Sequence, residues 1–392
     1  MKRTVAIAHL FVACALAALP LGCSGDDSSL ANPIPPTTQM GNTMKVREIS
    51  TSGSHTLAIQ TDGTLWVWGN NSSGGFANGV KNGSQLSTPI QIGLDNDWKL
   101  VVAGSPSFAI KNNGTLWGWG QNNNGQLGIG NQTDTYVLTQ IGTDSDWKTV
   151  DSGSNMTIAQ KTDGTLWGWG SGTSLGMGTQ FALDNQNVLT PFLISTDTDW
   201  KQFSANLHVL AVKNNGELWA WGNDLLDVFG NPGQLITHDR VRVGTDSDWS
   251  QVAVSQGMSM AIKSNGALYT WGSGQMGSLG RAGSGDTPGQ VGTDSNWISI
   301  AAGYYSCLAL KSDGSVWAWG LRANGGGANN LYDAAPVQPN TDTHWTKVAM
   351  GGGLCYVVKS DQALYGWGAR YHLFGYANDR PADNPVPMHW PL

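Results

Sequence analysis

The chain has 392 residues, only 12% of them charged, with 53 glycines and a formal charge of -7. That profile suits short strands joined by tight turns and argues against a helical protein. No Lys/Arg run follows the first three residues, so the electrostatic footprint of a nucleic-acid binder is missing.

The N-terminus reads as an address. A positive start, "MKR", precedes the apolar run "TVAIAHLFVACALAAL", as in a signal peptide. The following "LPLGC" resembles the cleavage site of bacterial lipoproteins, although Pro20 stands where such sites favour Leu. The resemblance implies that residues 1–22 are removed, that Cys23 carries the lipid, and, from Ser24, that the product passes to the outer membrane. No second apolar stretch approaches the roughly 20 residues that span a bilayer, so the lipid would be the only anchor. Residues 23–44, rich in Ser, Pro, Asn and Thr, read as a flexible tether.

From residue 45 onward the chain repeats itself. "DGTLWVWG" at 62–69 returns as "NGTLWGWG" at 113–120, "DGTLWGWG" at 163–170, "NGELWAWG" at 215–222 and "DGSVWAWG" at 313–320. Two further copies, "NGALYTWG" at 265–272 and "QALYGWG" at 362–368, place Tyr first. The steps between Trp68, Trp119, Trp169, Trp221, Trp271, Trp319 and Trp367 are 48–52 residues. Such a period makes the repeats one object rather than several domains.

Within a repeat, "WKTVDSG" and "NMTIAQK" read as two strands, and "TDG" supplies the positive φ of a tight turn. "TLWGWG" is a third strand, and after a variable loop "LTPFLI" is a fourth, with Pro191 tolerable only at an edge. Residues i and i+2 of a strand share a face. Trp167 and Trp169 therefore point one way, and Gly168, mostly a small residue in other copies, points the other. A sheet bulky on one face and thin on the other suits blades packed radially, with the tryptophans as inter-blade filler.

These residues resemble the repeat of the regulator of chromosome condensation family, and the resemblance spans residues 45–392. Repeat two keeps nearly all of it as "LWGWGQNNNGQLGIG". The resemblance implies an all-β fold: a seven-bladed β-propeller of four-stranded blades. Repeat one lacks its leading Trp, so Trp390 is expected to fill the vacant slot and clasp the ring. The family's founder activates a small nuclear GTPase on chromatin. The chain has no basic tail or inserted wedge and carries an export signal, so a GTPase and nucleic acid are both excluded as expected partners. The bacterial secreted members, which include a protein inhibitor of β-lactamases, are the better analogy. They present the loops of one face to a protein.

No catalytic, cofactor or metal site emerges. The inter-repeat turns carry Asp95/Asp97, Asp144/Asp146, Asp197/Asp199 and Asp246/Asp248, with Asp294 and Asp342 in later copies. Asp is a turn residue in its own right, and no copy has the full calcium-loop pattern, which leaves turn structure first and weak cation binding second. His55 and His208 share one repeat position, filled elsewhere by Pro106, Met156, Met258, Ser306 and Leu354, and read as core. Cys307 and Cys355 also share a position, a small-residue slot whose copies are expected to lie too far apart for a disulfide. The glycine-rich run 272–285 has no following helix to hold a phosphate and reads as loop.

Binding chemistry concentrates in the loops between third and fourth strands. Blade seven offers Arg370, Tyr371, His372, Phe374, Tyr376 and Arg380, and blade four Leu225 and Phe229. Tyr and Arg are the types enriched in interface hot spots. The expectation is a non-catalytic, monomeric scaffold at the bacterial cell envelope that binds an unknown protein. It would need no cofactor and would reach the membrane only through its lipid. The alternative is a carbohydrate-binding module or polysaccharide-active enzyme using the central face.

Overall fold

The computed structural model describes residues 42–153, 155–178, 186–223, 228–231, 236–321, 332–368 and 382–389, without the side chains of 236–238 and 382–384. Met40–Leu392 form one compact unit, a seven-bladed β-propeller of four-stranded antiparallel sheets. Blade one is β1 (Val46–Thr51), β2 (His55–Gln60), β3 (Leu65–Asn70) and β4 (Gln85–Gln91), hydrogen-bonded in that order. The other blades span residues 98–140, 147–195, 200–242, 249–290, 297–337 and 345–387, each with consecutive strands in sequence order. First strands line the axis and fourth strands form the rim. Pro191 sits inside the fourth strand Asn187–Ser195, at the sheet edge where its missing N–H costs no ladder bond.

The turn chemistry works as the residue types suggest. Gly164 has φ +93°, and Asp163 accepts from both the backbone N–H and the hydroxyl of Thr165, at 2.9 and 2.7 Å. The two tryptophans of each pair then diverge in role. Trp167 is half-buried, and its indole N–H donates back to Thr165 at 3.0 Å. Trp169 is fully buried, and its indole N–H crosses to the previous blade, donating to the Gln126 carbonyl at 2.8 Å. Trp119 reaches Gly75 O, Trp271 reaches Val228 O and Trp319 reaches Ser278 O in the same way. Gly128, at φ +73°, lies under Trp169, where a Cβ would come within 2.8 Å of the indole nitrogen. On the thin face, a Cβ on Gly168 would meet Leu175 at 2.9 Å.

The ring closes without mixing strands between blades. Met44 N–H donates to Met388 O, Leu364 N–H to Met44 O and Val46 N–H to Gln362 O. Val46 pairs with Gln60 as Trp98 pairs with Lys111, so Val46 occupies the slot of the absent Trp, packed with Met44 and Met388. Trp390, the expected clasp, lies outside the described residues.

Candidate functional site: the axial face

Because successive strands are antiparallel, the turns between strands one and two share an end of the ring with the variable loops between strands three and four. The tight Gly turns and the Asp-rich inter-blade turns occupy the other end. At that second end the aspartates are held internally. Lys161, at the end of the second strand of blade three, lies 2.7 Å from Asp144 and 3.1 Å from Asp146. Its ammonium also stands over the rings of Trp147 and Trp167, at 5.0 and 4.5 Å. Lys111, Lys213 and Lys263 repeat this with both aspartates of their turns. Lys311 and Lys359 repeat it with Asp294 and Asp342 alone. Burial lowers the Lys161 pKa, but Asp144 and Asp146 outweigh it and the net shift is upward. Blade one has Gln60 at the lysine position and lacks both the acidic turn and the leading Trp. Lysine, aspartates and ring thus come and go together. The cation these turns hold is the chain's own ammonium.

The opposite end differs. The first strands and their turns enclose an axial cavity of about 510 Å³, walled mostly by backbone and by serines. One position of the inner strand aims at the next blade and reads Ser50, Val102, Asp151, Ser204, Ala253, Ala301 and Ala349 around the ring. Ser50 Oγ accepts from Ala103 N–H at 2.9 Å, and Ser204 Oγ from Val254 N–H at 3.3 Å. Asp151 accepts from Ala205 N–H and Ser152 N–H, both at 2.9 Å, and from the Ser204 hydroxyl. Burial nevertheless pushes its carboxyl up to about 6. The hydroxyls of Ser105 and Ser255 are buried in this wall with no hydrogen-bond partner. Tyr304 and Tyr305 stack edge to face at 4.3 Å on the blade-six turn. Tyr304 and Gln256 separate the axial cavity from a smaller, mainly apolar pocket of about 240 Å³ beside Leu207, Val228 and Tyr305.

The residues singled out in the sequence are scattered across these parts. Phe229 is fully buried beside the His208 ring. Leu225, the six blade-seven residues from Arg370 to Arg380, and Cys23 lie outside the described residues. His55 and His208 are fully buried and each hydrogen-bonds, at 2.8 Å, a serine in the small slot of the next blade, Ser107 and Ser259. Desolvation lowers their pKa values to about 4 and about 3. Cys307 and Cys355 are buried and are not joined in a disulfide. In the glycine-rich loop, Arg281 donates to the carbonyls of Thr270 and Ser284, so its guanidinium organises the loop. Asp151 and the Tyr304–Tyr305 pair escaped sequence reasoning. Aligning the seven inner strands shows Asp151 as the one ionisable residue in its column.

Models of the regulator of chromosome condensation (RCC1) repeat match residues 113–160 and 265–310, and residues 46–74 and 297–325. Those four segments are similar to RCC1 repeats. Among curated proteins, the mitochondrial RCC1 domain-containing protein RUG3 of Arabidopsis thaliana is 27% identical over 55% of this chain and 52% of its own length. The probable E3 ubiquitin-protein ligase HERC3 of Homo sapiens is 35% identical over 24% of this chain and 9% of its own length. The chain thus spans about half or less of these relatives. The RCC1-like fold recurs in human WBSCR16, with TM-score 0.70 and 17% identity over 84% of this chain and 95% of that one. It recurs in Prp20p of Saccharomyces cerevisiae, with TM-score 0.67 and 20% identity over 81% of this chain and 83% of that one. Such propellers form a protein-interaction scaffold family. Prp20p is described by its binding to Gsp1p, a GTPase, and to histones. That finding overturns the exclusion of a GTPase from the expected partners. A partner recognised by blade loops needs neither a basic tail nor an inserted wedge.

Proposed function

We propose that this RCC1-like propeller is a non-catalytic scaffold whose axial face, with its surrounding loops, docks a protein partner. We also propose that a lipid on Cys23 tethers it to the bacterial envelope, a reading supported by the leader-like residues 1–23 and the polar stretch after them. One observation carries the docking reading. Charged side chains of the Asp-rich end are consumed by a cage repeated from blade to blade. Variation between blades gathers at the other end, around a polar depression. A surface that repeats has few features for a specific partner to read, whereas one that varies has many.

The test is cross-linking of the full chain in intact cells, followed by mapping of the linked residues. Links from a single protein to the loops at 121–134 and 273–287 and to the turn at 304–305 are expected. Replacing 121–134 by a Gly/Ser segment of equal length should abolish them. Links confined to the Asp-rich turns would overturn the reading.

A further inference from the structure

We propose that the axial cavity is a binding site for an organic cation, a primary ammonium or guanidinium group, with Asp151 as its counter-charge. Four observations converge. The cavity, at about 510 Å³, has room for a cationic head and several carbons. Among its described lining residues Asp151 is the only acidic one, and none is Lys, Arg or His. Its negative potential is therefore uncompensated and concentrated between low-dielectric walls.

The third observation is the inner-strand column. Blades one and four make the same inter-blade hydrogen bond with serine, and four other blades do without a polar side chain there. A carboxylate at Asp151 is more than that bond requires, and burial opposes its ionisation. The fourth is the pair of unmatched hydroxyls, Ser105 and Ser255, the latter 3% exposed. Buried polar groups ordinarily find a partner, and both hydroxyls belong to residues that line the cavity. A metal ion suits the site poorly: no group of three or more His, Cys, Asp or Glu side chains placed to hold one occurs among the described residues. The apolar pocket beside Leu207 and Tyr305 shares Gln256 and Tyr304 with the cavity wall, so apolar surface lies next to the cationic site.

The site does not depend on protein docking, because a free amine and an Arg or Lys side chain of a partner present the same chemistry. Calorimetric titration of the full chain with agmatine and with acetyl-Gly-Arg-Gly-amide tests it and separates the two sources. Saturable binding of either probe above neutrality is expected. Tighter agmatine points to a free ligand, and a tighter peptide to a protein-borne side chain. Asp151→Ser keeps the hydrogen bond that blades one and four use, so it should fold, and it should weaken binding about tenfold. Affinity should fall as pH drops through the carboxyl's titration near 6, and this dependence should vanish in Asp151→Ser. No saturable binding of either probe up to about 10 mM, or equal affinity in a folded Asp151→Ser protein, would overturn the proposal.

Discussion

His208 shares its column with His55 and stands where the other blades use proline, methionine, serine or leucine, and its environment makes it an acid-labile point. Its folded pKa lies near 3, far below the ordinary 6.5. The unfolded chain therefore takes up the proton first. The neutral imidazole contributes stability that is complete above about pH 6.5 and lost as pH falls from there toward 3, at roughly 1.4 kcal/mol per unit. His208→Met should flatten the stability profile below pH 6.5, with denaturant midpoints at pH 7 and pH 5 moving closer together. Ser259 keeps its bond to Val228 O in this variant. Equal acid sensitivity in the variant would contradict the assignment. Lys161 is the other test at this scale. With its ammonium gone, Asp144 and Asp146 face each other without a counter-charge. Both carboxylates are about half exposed, so solvent screening keeps the cost of Lys161→Met to about 1–2 kcal/mol, read as a lowered urea midpoint. The aspartate column was legible in the sequence, and its cation was not. The lysine lies fifteen or more residues downstream, and only the register of the first hairpin brings it back over the turn.

Between residue and blade, the unit that matters is the third strand with its paired aromatics. Its period-2 pattern and the Asp-Gly or Asn-Gly turn before it were readable because both are local. The two tryptophans look equivalent in sequence yet differ in energetic weight. Trp167 closes a hydrogen bond within its own hairpin at a half-exposed site, whereas Trp169 spends its N–H on the neighbouring blade in a dry seam. Trp169→Phe should cost about 1–3 kcal/mol, for the lost bond and the space left by the smaller ring, and Trp167→Phe under about 1. Near-equal losses in thermal unfolding would mean that the pair acts simply as bulk filler. Fourth strands were harder to read, being short, rim-exposed and free of a strict pattern. In blade five the fourth strand shrinks to Gly289–Gln290, after a loop whose carbonyls converge on Arg281.

At the scale of the ring, six seams are covalently bridged by an inter-blade turn, and the seam between blades seven and one is not. At four other seams the buried indole, of Trp119, Trp169, Trp271 or Trp319, donates to a loop carbonyl of the preceding blade. Here Trp68 donates to the Tyr356 hydroxyl at 2.9 Å, and Thr56 donates to the same oxygen at 3.2 Å. Tyr356 is the one polar residue in a column otherwise made of Leu57, Phe108, Ile158, Leu210, Met260 and Leu308. That departure was visible in the sequence. Its meaning was not, because nothing local says that residues 56, 68 and 356 meet. In a repeat array, stability is close to a sum of unit and nearest-neighbour terms, and closing the ring adds one more interface. Tyr356→Phe keeps the ring's volume and edge-on packing against Trp68 but leaves the fully buried Trp68 N–H without an acceptor, while the Thr56 hydroxyl still has Thr51 Oγ1 at 3.1 Å. At about 1–3 kcal/mol for a stranded buried donor, the variant should lose about 1–3 kcal/mol. Trp68→Phe in the Tyr356→Phe background should then cost less than it does alone, because the bond it removes has already gone. Additive losses in that double-mutant cycle, measured by denaturant unfolding, would mean that the Tyr356 hydroxyl does not hold the seam.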